Sequence, residues 1–473
     1  MISRRSLAFL GFALVVVAAT MQTVGAAEQP ARAVPTPKVE GPVTGGSRTG
    51  GPYWASPFFL DQFGYVEEEY FLSGTASDRG LAHNGHEHTA PYKVRILVRR
   101  PADPARFNGT AVLEWFNVSL QSEVEHEWPI DHPMLMRDGY MSASVSAQYL
   151  GVQSLSPMAS KNWDPQRYGT LQHPGDDFSY DIFAQAAQAL RSGLAARYRP
   201  ADLVLGSGTS QSCLRLVTYI SKLAAGDGVF DGYHPTTCPA TAEVPDSLVP
   251  MVWGTSEWEA GIPSRPDGPL LRVWAIAGTS HANWWEVRFQ GAQGYRDGFA
   301  YDGTTYFPYY GWDEDDAGQY GERRPFSNNV APARYAFRAA IDGLNRWARD
   351  WRDHRAGRLG ADQVRPAPAA TRLERDGYAL RRDEHGNALG GLRLPFIDVP
   401  VAHYRGEFID GASGSTHAFD RETLEKLYRS HDDYVAKMRV ATDAAVTNGF
   451  MLATDRDEWM GRVVASPIRR YGQ

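Results

Sequence analysis

Three short segments of the sequence carry residue types that together can perform nucleophilic catalysis. The first is "GTSQS" (208–212), which has the form of a G-x-S-x-G turn with a serine at the second glycine. An acidic segment, "TSEWE" (255–259), and "AGTSHAN" (277–283) follow it in the chain. A serine beside a histidine can attack a carbonyl carbon, and a carboxylate can hold the imidazole in the required tautomer.

These segments suggest one residue for each catalytic task. Ser210 is the expected nucleophile, and His281 is the expected general base and acid. The carboxylate that orients His281 stays open between Glu257, which we favour, and Glu259. The chain order of serine, acid and histidine is that of the α/β-hydrolase arrangement.

An oxyanion hole for such chemistry needs two backbone N–H groups near the nucleophile. We expect one from Gln211, the residue that follows Ser210. The other is expected near Asn117 and Val118, in the turn after an apolar run at 110–116.

Hydrophobic periodicity predicts the elements that would position these residues. Strands are predicted at 67–71, 93–99, 110–116, 140–147, 203–205, 249–253 and 270–276, and helices at 177–195 and around 337–351. Strands that alternate with helices favour an α/β fold, with a mostly parallel central sheet flanked by helices. Ser210, the acid and His281 each follow one of these strands, so we expect them to meet at one edge of the sheet.

The N-terminus has the features of an export signal. Arg4 and Arg5 precede an apolar stretch at 7–21, and small residues follow at 24–26. We expect a signal peptide at 1–26, a flexible arm at 27–49 and a catalytic domain at 50–473, which places the protein in the periplasm or outside the cell. The stretch is too short for a comfortable membrane span.

Composition narrows the set of partners. The formal charge of −7 over 473 residues gives no general attraction to nucleic acid, so we expect none to bind. The two cysteines, Cys213 and Cys238, could form one disulfide in an oxidising compartment, and the sequence leaves that bridge open.

An aromatic-rich stretch follows His281. We expect residues 284–325 to form a lid or cap insertion, with Trp284, Trp285, Tyr309 and Tyr310 as substrate contacts. Core packing is the alternative for each of them. Arg393, in a later segment that wraps back over the core, is a further expected substrate contact.

Two polar segments invite other interpretations. His83, His86 and His88 lie in a predicted hairpin loop without a distant ligand partner, so a solvated loop is favoured over a metal site. Residues 123–127 are expected to form a polar loop at the rim of the site. We expect no metal and no organic cofactor.

Four motifs resemble, in the same order, those of an exported bacterial family of alpha/beta hydrolase domain proteins. They are "FNGTAVLEWFNVSL" (107–120), "GTSQS" (208–212), "AGTSHAN" (277–283) and "GNALGGLRLPFIDVP" (386–400). The resemblance implies an α/β-hydrolase fold with Ser210 and His281 in the catalytic positions, and it includes the Ser-Gln-Ser turn. Asn283 stands where the family tends to have aspartate, and "TSEWE" varies the usual acidic motif.

These observations predict an exported serine hydrolase that cleaves a carboxylic ester of a small molecule with an aromatic or sugar-like group. Amides, lactones and thioesters would use the same residues, so they stay open as substrates. The alternative from another class is a non-catalytic protein that binds a glycan or hydrophobic ligand on the same fold. The ordered serine, acid and histidine favour the enzyme.

Overall fold

The computed structural model of the chain describes most of the sequence beyond residue 31. The described residues are 32–48, 50–81, 85–239, 241–259, 265–299, 329–407 and 412–470. The expected signal peptide at 1–26 lies outside them, as do Tyr309, Tyr310 and most of the expected lid.

A central sheet of nine strands organises the described residues, in the order β1-β2-β3-β5-β4-β6-β7-β8-β9. The nine strands are β1 (Lys38–Glu40), β2 (Tyr65–Ser77), β3 (Thr89–Pro101), β4 (Thr110–Trp115), β5 (Met141–Val145), β6 (Leu203–Thr209), β7 (Gly232–Thr236), β8 (Met251–Thr255) and β9 (Leu271–Ala275). Two small hairpins follow, β10 (Arg375–Asp376) with β11 (Ala379–Leu380) and β12 (Ala402–Arg405) with β13 (Ser415–Ala418).

Helices connect the strands and continue beyond the sheet. They are α1 (Glu127–Arg137), α2 (Tyr149–Gln153), α3 (Ser160–Trp163), α4 (Pro165–Tyr168), α5 (Ser179–Arg191), α6 (Gly193–Ala196), α7 (Gln211–Lys222), α8 (Ala224–Asp227), α9 (Trp284–Arg296), α10 (Arg334–Arg355), α11 (Pro395–Asp398), α12 (Arg421–Leu427), α13 (His431–Thr447) and α14 (Ala453–Ala465). No helix in the described ranges combines the length and the apolar character needed to cross a bilayer.

The first strands of the sheet pair antiparallel. β2 and β3 form the expected hairpin, in which Glu67 lies opposite Arg99. The expectation of a flexible arm at 27–49 is wrong for part of that segment. Residues 38–40 pair with β2, and the side chain of Ser47 donates to Asp164 at 2.7 Å.

From β4 to β9 the sheet is parallel, which confirms the predicted fold class. The strands predicted before the three candidate segments are present as β6, β8 and β9. β7 was not predicted, because its sequence "GYHPT" has one large apolar residue and a proline. It pairs between β6 and β8.

Each face of the sheet packs against its own helices. Within β4, Ala111 and Leu113 belong to the cluster that includes α5 and α7, whereas Val112 packs in the cluster that includes α1 and α10. This alternation follows from the period of two along a strand. Helix α7, which begins directly after Ser210, and the long α10 therefore lie on opposite sides of the sheet.

Cys213 and Cys238 are bonded as a disulfide, with their Cα atoms 5.3 Å apart. Cys213 lies in the first turn of α7, and Cys238 follows β7. The disulfide therefore links the start of α7 to the segment directly after β7.

Candidate active site

Ser210 lies at the sharp join between β6 and α7. Its backbone has φ +57° and ψ −118°, a conformation that costs a non-glycine residue energy and is typical of functional turns. The strand before it is buried, and the helix begins at the next residue. The amide of Ser210 donates to the carbonyl of Thr236 at 3.1 Å, which fixes the turn to the end of β7.

Ser212 occupies the position where this turn more often has glycine, and its side chain stabilises the turn. The hydroxyl accepts the N–H of Thr209 at 3.0 Å and donates to the carbonyl of Thr209 at 2.9 Å. At Gly208, by contrast, an added Cβ would lie 2.9 Å from the backbone oxygen of Ser212. The turn thus tolerates a serine at one glycine position and excludes any side chain at the other.

His281 follows β9 and faces Ser210. Its Nε2 lies 2.9 Å from Ser210 Oγ, and its Nδ1 contacts the carboxylate of Glu259. Burial disfavours the protonated imidazole, but the hydrogen bond and charge of Glu259 outweigh it, so the pKa of His281 lies above its usual value. The ring of Trp258 lies 5.8 Å from the imidazole.

Glu259, in the turn after β8, occupies the acid position. Its carboxylate is fully buried. It accepts the N–H of Ser256 at 2.9 Å and the hydroxyl of Ser256 at 2.7 Å. These bonds hold the carboxylate against His281. The favoured choice of Glu257 is corrected, because this side chain makes no contact with His281 in the described residues.

Glu257 instead connects the loop that carries His281 to the C-terminal segment. Its carboxylate accepts the N–H of Gly278 at 2.7 Å, the N–H of Gly406 at 3.0 Å and Arg382 Nη2 at 2.9 Å. Burial raises the pKa of Glu257, while Arg382 and the two amides oppose that rise. No sequence pattern indicated Arg382 as its partner, since this residue is 125 positions away in the chain.

The sequence from residue 39 to residue 461 matches a family described as an alpha/beta hydrolase domain. The chain belongs to this family. Its sheet, its strand-to-helix serine turn and the chain order of serine, acid and histidine agree with that assignment. The family makes this protein a hydrolase in the broad sense.

Solved structures similar to this α/β hydrolase share low identity with it. They include one of two prolyl endopeptidases (12% identity, 45% of this chain, 35% of that chain, TM-score 0.28) and the esterase Est22 (10%, 41%, 65%, 0.27). A third is an α/β serine hydrolase without a lid from Xanthomonas campestris (14%, 47%, 93%, 0.27). The match thus spans less than two thirds of the first two structures. No curated protein matches the sequence.

The backbone N–H groups of the three residues expected at an oxyanion hole have different surroundings. Gln211 is the first residue of α7, so its N–H has no acceptor within the helix. The N–H of Val118 donates to the side-chain oxygen of Gln211 at a long 3.4 Å. Asn117 is not available, because its N–H donates to Val124 at 2.9 Å; its side chain instead donates to the carbonyl of Thr209 at 3.0 Å.

The described substrate-contact candidates have structural partners. Trp284 is buried at the start of α9. Trp285 Nε1 donates to the carbonyl of Pro129 at 2.7 Å, and the guanidinium of Arg334 lies 4.8 Å from the centre of its ring. Both tryptophans therefore pack α9 onto its neighbours.

Arg393 also has structural partners and no contact with Ser210 or His281 among the described residues. It binds Asp398 at 2.7 Å and Asp383 at 3.2 Å, so it stabilises the C-terminal segment. Its expected role as a substrate contact stays a prediction.

The polar segment at 123–127, expected near the rim of the site, is mostly buried. Glu123 binds Arg95 at 2.6 Å, and Glu125 binds Arg99 at 2.5 and 2.9 Å. Both arginines extend from β3 and are fully buried. The signal in the sequence was two arginines four residues apart on a strand, which share one face.

The hairpin loop that holds His83, His86 and His88 contributes no site among the described residues. His83 lies outside the described residues. His88 contacts Asp78 at 3.1 Å. Within the ranges that the structure describes, no group of three or more histidine, cysteine, aspartate or glutamate side chains could hold a metal ion.

Proposed function

We propose that the protein is an exported serine hydrolase that cleaves a carboxylic ester through an acyl-enzyme intermediate. The observation that carries the proposal is the continuous contact from Ser210 Oγ to His281 Nε2, at 2.9 Å, and from His281 Nδ1 to Glu259. A hydroxyl in this environment can lose its proton to the imidazole as it attacks, and the buried carboxylate stabilises the resulting imidazolium.

The reaction follows from that contact. Ser210 Oγ attacks the ester carbonyl, its proton passes to His281 Nε2, and the N–H groups of Gln211 and Val118 stabilise the oxyanion. For Val118 this requires the substrate oxygen to replace the long bond to Gln211. His281 then protonates the departing alcohol. A water, deprotonated by His281, releases the acid and restores Ser210.

Export is supported by the N-terminal sequence and by the disulfide. The arginine pair, the apolar stretch at 7–21 and the small residues at 24–26 are typical of a cleaved leader. The Cys213–Cys238 bond suits an oxidising compartment. Sequencing the N-terminus of protein from the periplasm or medium tests this part, since an intact Met1 would contradict cleavage.

A fluorophosphonate probe tests the chemistry directly. The probe should label the folded protein at Ser210, as located by peptide mapping, and the protein should hydrolyse p-nitrophenyl acetate. Ser210→Ala should lose both properties. Ser221→Ala is the matched control, because Ser221 lies at the far end of α7 and donates to Val217 at 2.8 Å. Unlabelled folded protein without turnover would favour the non-catalytic binding protein instead.

A further inference from the structure

A small cavity lies beside the triad, on the side of His281. Helices α1, α9 and α10, the ends of β6 and β7 and the loop that carries His281 surround it. The lining residues that matter here are His126, Glu127, Asp131, Thr237, His281 and Glu286. It has room for about one water-sized group.

Several buried polar groups that line this cavity have no hydrogen-bond partner among the described residues. Asp131 is 1% exposed and Thr237 is 3% exposed. Among the described residues, neither oxygen of Asp131 nor Oγ1 of Thr237 has a hydrogen-bond partner. The Nε2 of His126 also has no hydrogen-bond partner among these residues. Buried polar groups are almost always satisfied, so several of them around one cavity indicate a place for a polar group.

The charges around the cavity favour a group that donates hydrogen bonds. Glu127, Asp131 and Glu286 are buried carboxyl groups. Burial, together with Glu127, raises the pKa of Asp131 well above its usual value. Glu127 also accepts the hydroxyl of Ser207.

The neighbouring basic side chains already have partners among the described residues. His126 Nδ1 contacts Glu286. Arg338, which faces Asp131, donates to the carbonyl of Ile130 at 3.3 Å and pairs with Asp455 at 3.3 Å. The cavity therefore keeps an excess of hydrogen-bond acceptors.

The position of the cavity assigns it to one part of the ester. His281 and its neighbours line it, whereas Gln211 and Val118 do not. The oxyanion faces the latter pair, and the departing alcohol must face His281 to receive its proton. A substrate group that occupies the cavity therefore belongs to the alcohol part of the ester.

We propose that this cavity is a subsite for a hydroxyl group on the alcohol half of the substrate, so that the substrates are esters of polyols or sugars. The inference rests on the proposed ester hydrolysis and adds the class of alcohol. A hydroxyl is small enough for the space, and it can both donate to a buried carboxyl oxygen and accept from the hydroxyl of Thr237.

Two isosteric acetates test the subsite. In 2-hydroxyethyl acetate a terminal hydroxyl replaces the terminal methyl of propyl acetate. With each rate divided by the hydroxide-catalysed rate of the same ester, kcat/KM should be about tenfold higher for the hydroxyl ester, which is the effect of one or two satisfied buried hydrogen bonds. Thr237→Val should reduce this ratio about fivefold, and Asp131→Asn should also reduce it.

Controls separate this result from unfolding and from the acyl side. Thr218→Val, on the outer part of α7, removes a hydroxyl that donates to Leu214 at 2.9 Å and should leave the ratio unchanged. Fluorophosphonate titration counts the folded active sites of each variant. The inference is overturned if the two acetates are cleaved alike, or if the preference appears only in ethyl 3-hydroxypropanoate against ethyl butyrate. Failure to cleave any of these esters would overturn the proposed function itself.

Discussion

The imidazole of His281 contacts the buried carboxylate of Glu259 through Nδ1, and its Nε2 lies 2.9 Å from Ser210 Oγ. Glu257 belongs to the same turn but points to the opposite side, where it binds Arg382 at 2.9 Å. Two carboxylates two residues apart therefore have separate tasks. One orients the histidine, and the other connects the loop that carries His281 to the C-terminal segment.

We expect Glu259→Gln to reduce kcat by roughly 10³- to 10⁴-fold. The amide can present its N–H to Nδ1 and favour the wrong tautomer, and it no longer stabilises the imidazolium. Circular dichroism should show that the variant is folded. Steady-state kinetics with p-nitrophenyl acetate measures the loss.

Glu257→Gln is the comparison that separates the two carboxylates. It should reduce kcat far less than Glu259→Gln, and the exposed Glu243→Gln should have no effect. A larger loss of kcat for Glu257→Gln than for Glu259→Gln would return the acid position to Glu257.

The raised pKa of His281 predicts the acid limb of the pH profile. Only the neutral imidazole can accept the proton of Ser210, so kcat/KM falls as pH drops through this pKa. Because Glu259 raises the pKa above 6.5, the midpoint should lie above pH 6.5. In Glu259→Gln the residual activity should have its midpoint at lower pH, since only the smaller effect of Glu286 then opposes burial. An unchanged midpoint in the variant would show that another group titrates.

Much of the sheet could be predicted because its strands are local patterns. β4, β6, β8 and β9 are short apolar runs between turns, and each lies within a few residues of its predicted bounds. β7 was not predicted, because it is buried by its neighbours β6 and β8 and its own sequence is not an apolar run. The strand β1 escaped for the same reason.

The site was predictable where the chemistry is tied to a local turn, as at Ser210 and His281. The choice between Glu257 and Glu259 was not, because it depends on the direction of each side chain after β8. That direction is set by partners distant in the chain. Arg382 and Gly406 hold Glu257, and no spacing in the sequence connects them to it.

Arg382→Met should destabilise the protein by about 3 kcal/mol, because it leaves the buried carboxylate of Glu257 without its cation. Folding raises the pKa of Glu257, and the loss of Arg382 raises it further. A raised carboxyl pKa gives stability that is present at low pH and lost as pH rises through the folded value. The destabilisation should therefore be largest near pH 7 and smaller at pH 5, as measured by urea unfolding.

The double variant Arg382→Met with Glu257→Leu supplies the control for this pair. It removes both charges, so much of the stability at pH 7 should return. If the double variant were as unstable as the sum of the single variants, the two side chains would not act as a pair.

The disulfide should stabilise the fold without taking part in the reaction. Replacing Cys213 and Cys238 together by alanine opens a loop with a sequence separation of 25 residues. For a loop of that length we expect a loss of about 3 kcal/mol in the free energy of unfolding. Labelling of Ser210 in the folded variant should remain. Two free thiols in protein from an oxidising compartment, found by peptide mapping without reductant, would contradict the bond.

Gly208→Ala should reduce kcat/KM by roughly 100-fold, because the nucleophile turn has no space for a side chain there. The added Cβ would lie 2.9 Å from the backbone oxygen of Ser212, so the start of α7 and with it Ser210 must shift. Gly461→Ala is the matched control. No heavy atom lies within 4 Å of its added Cβ, and in helix α14 it should stabilise the fold by roughly 0.5–1 kcal/mol. Equal activity of the two variants in the p-nitrophenyl acetate assay would show that the turn can relax around a methyl group, and that the position of Ser210 does not depend on the glycine.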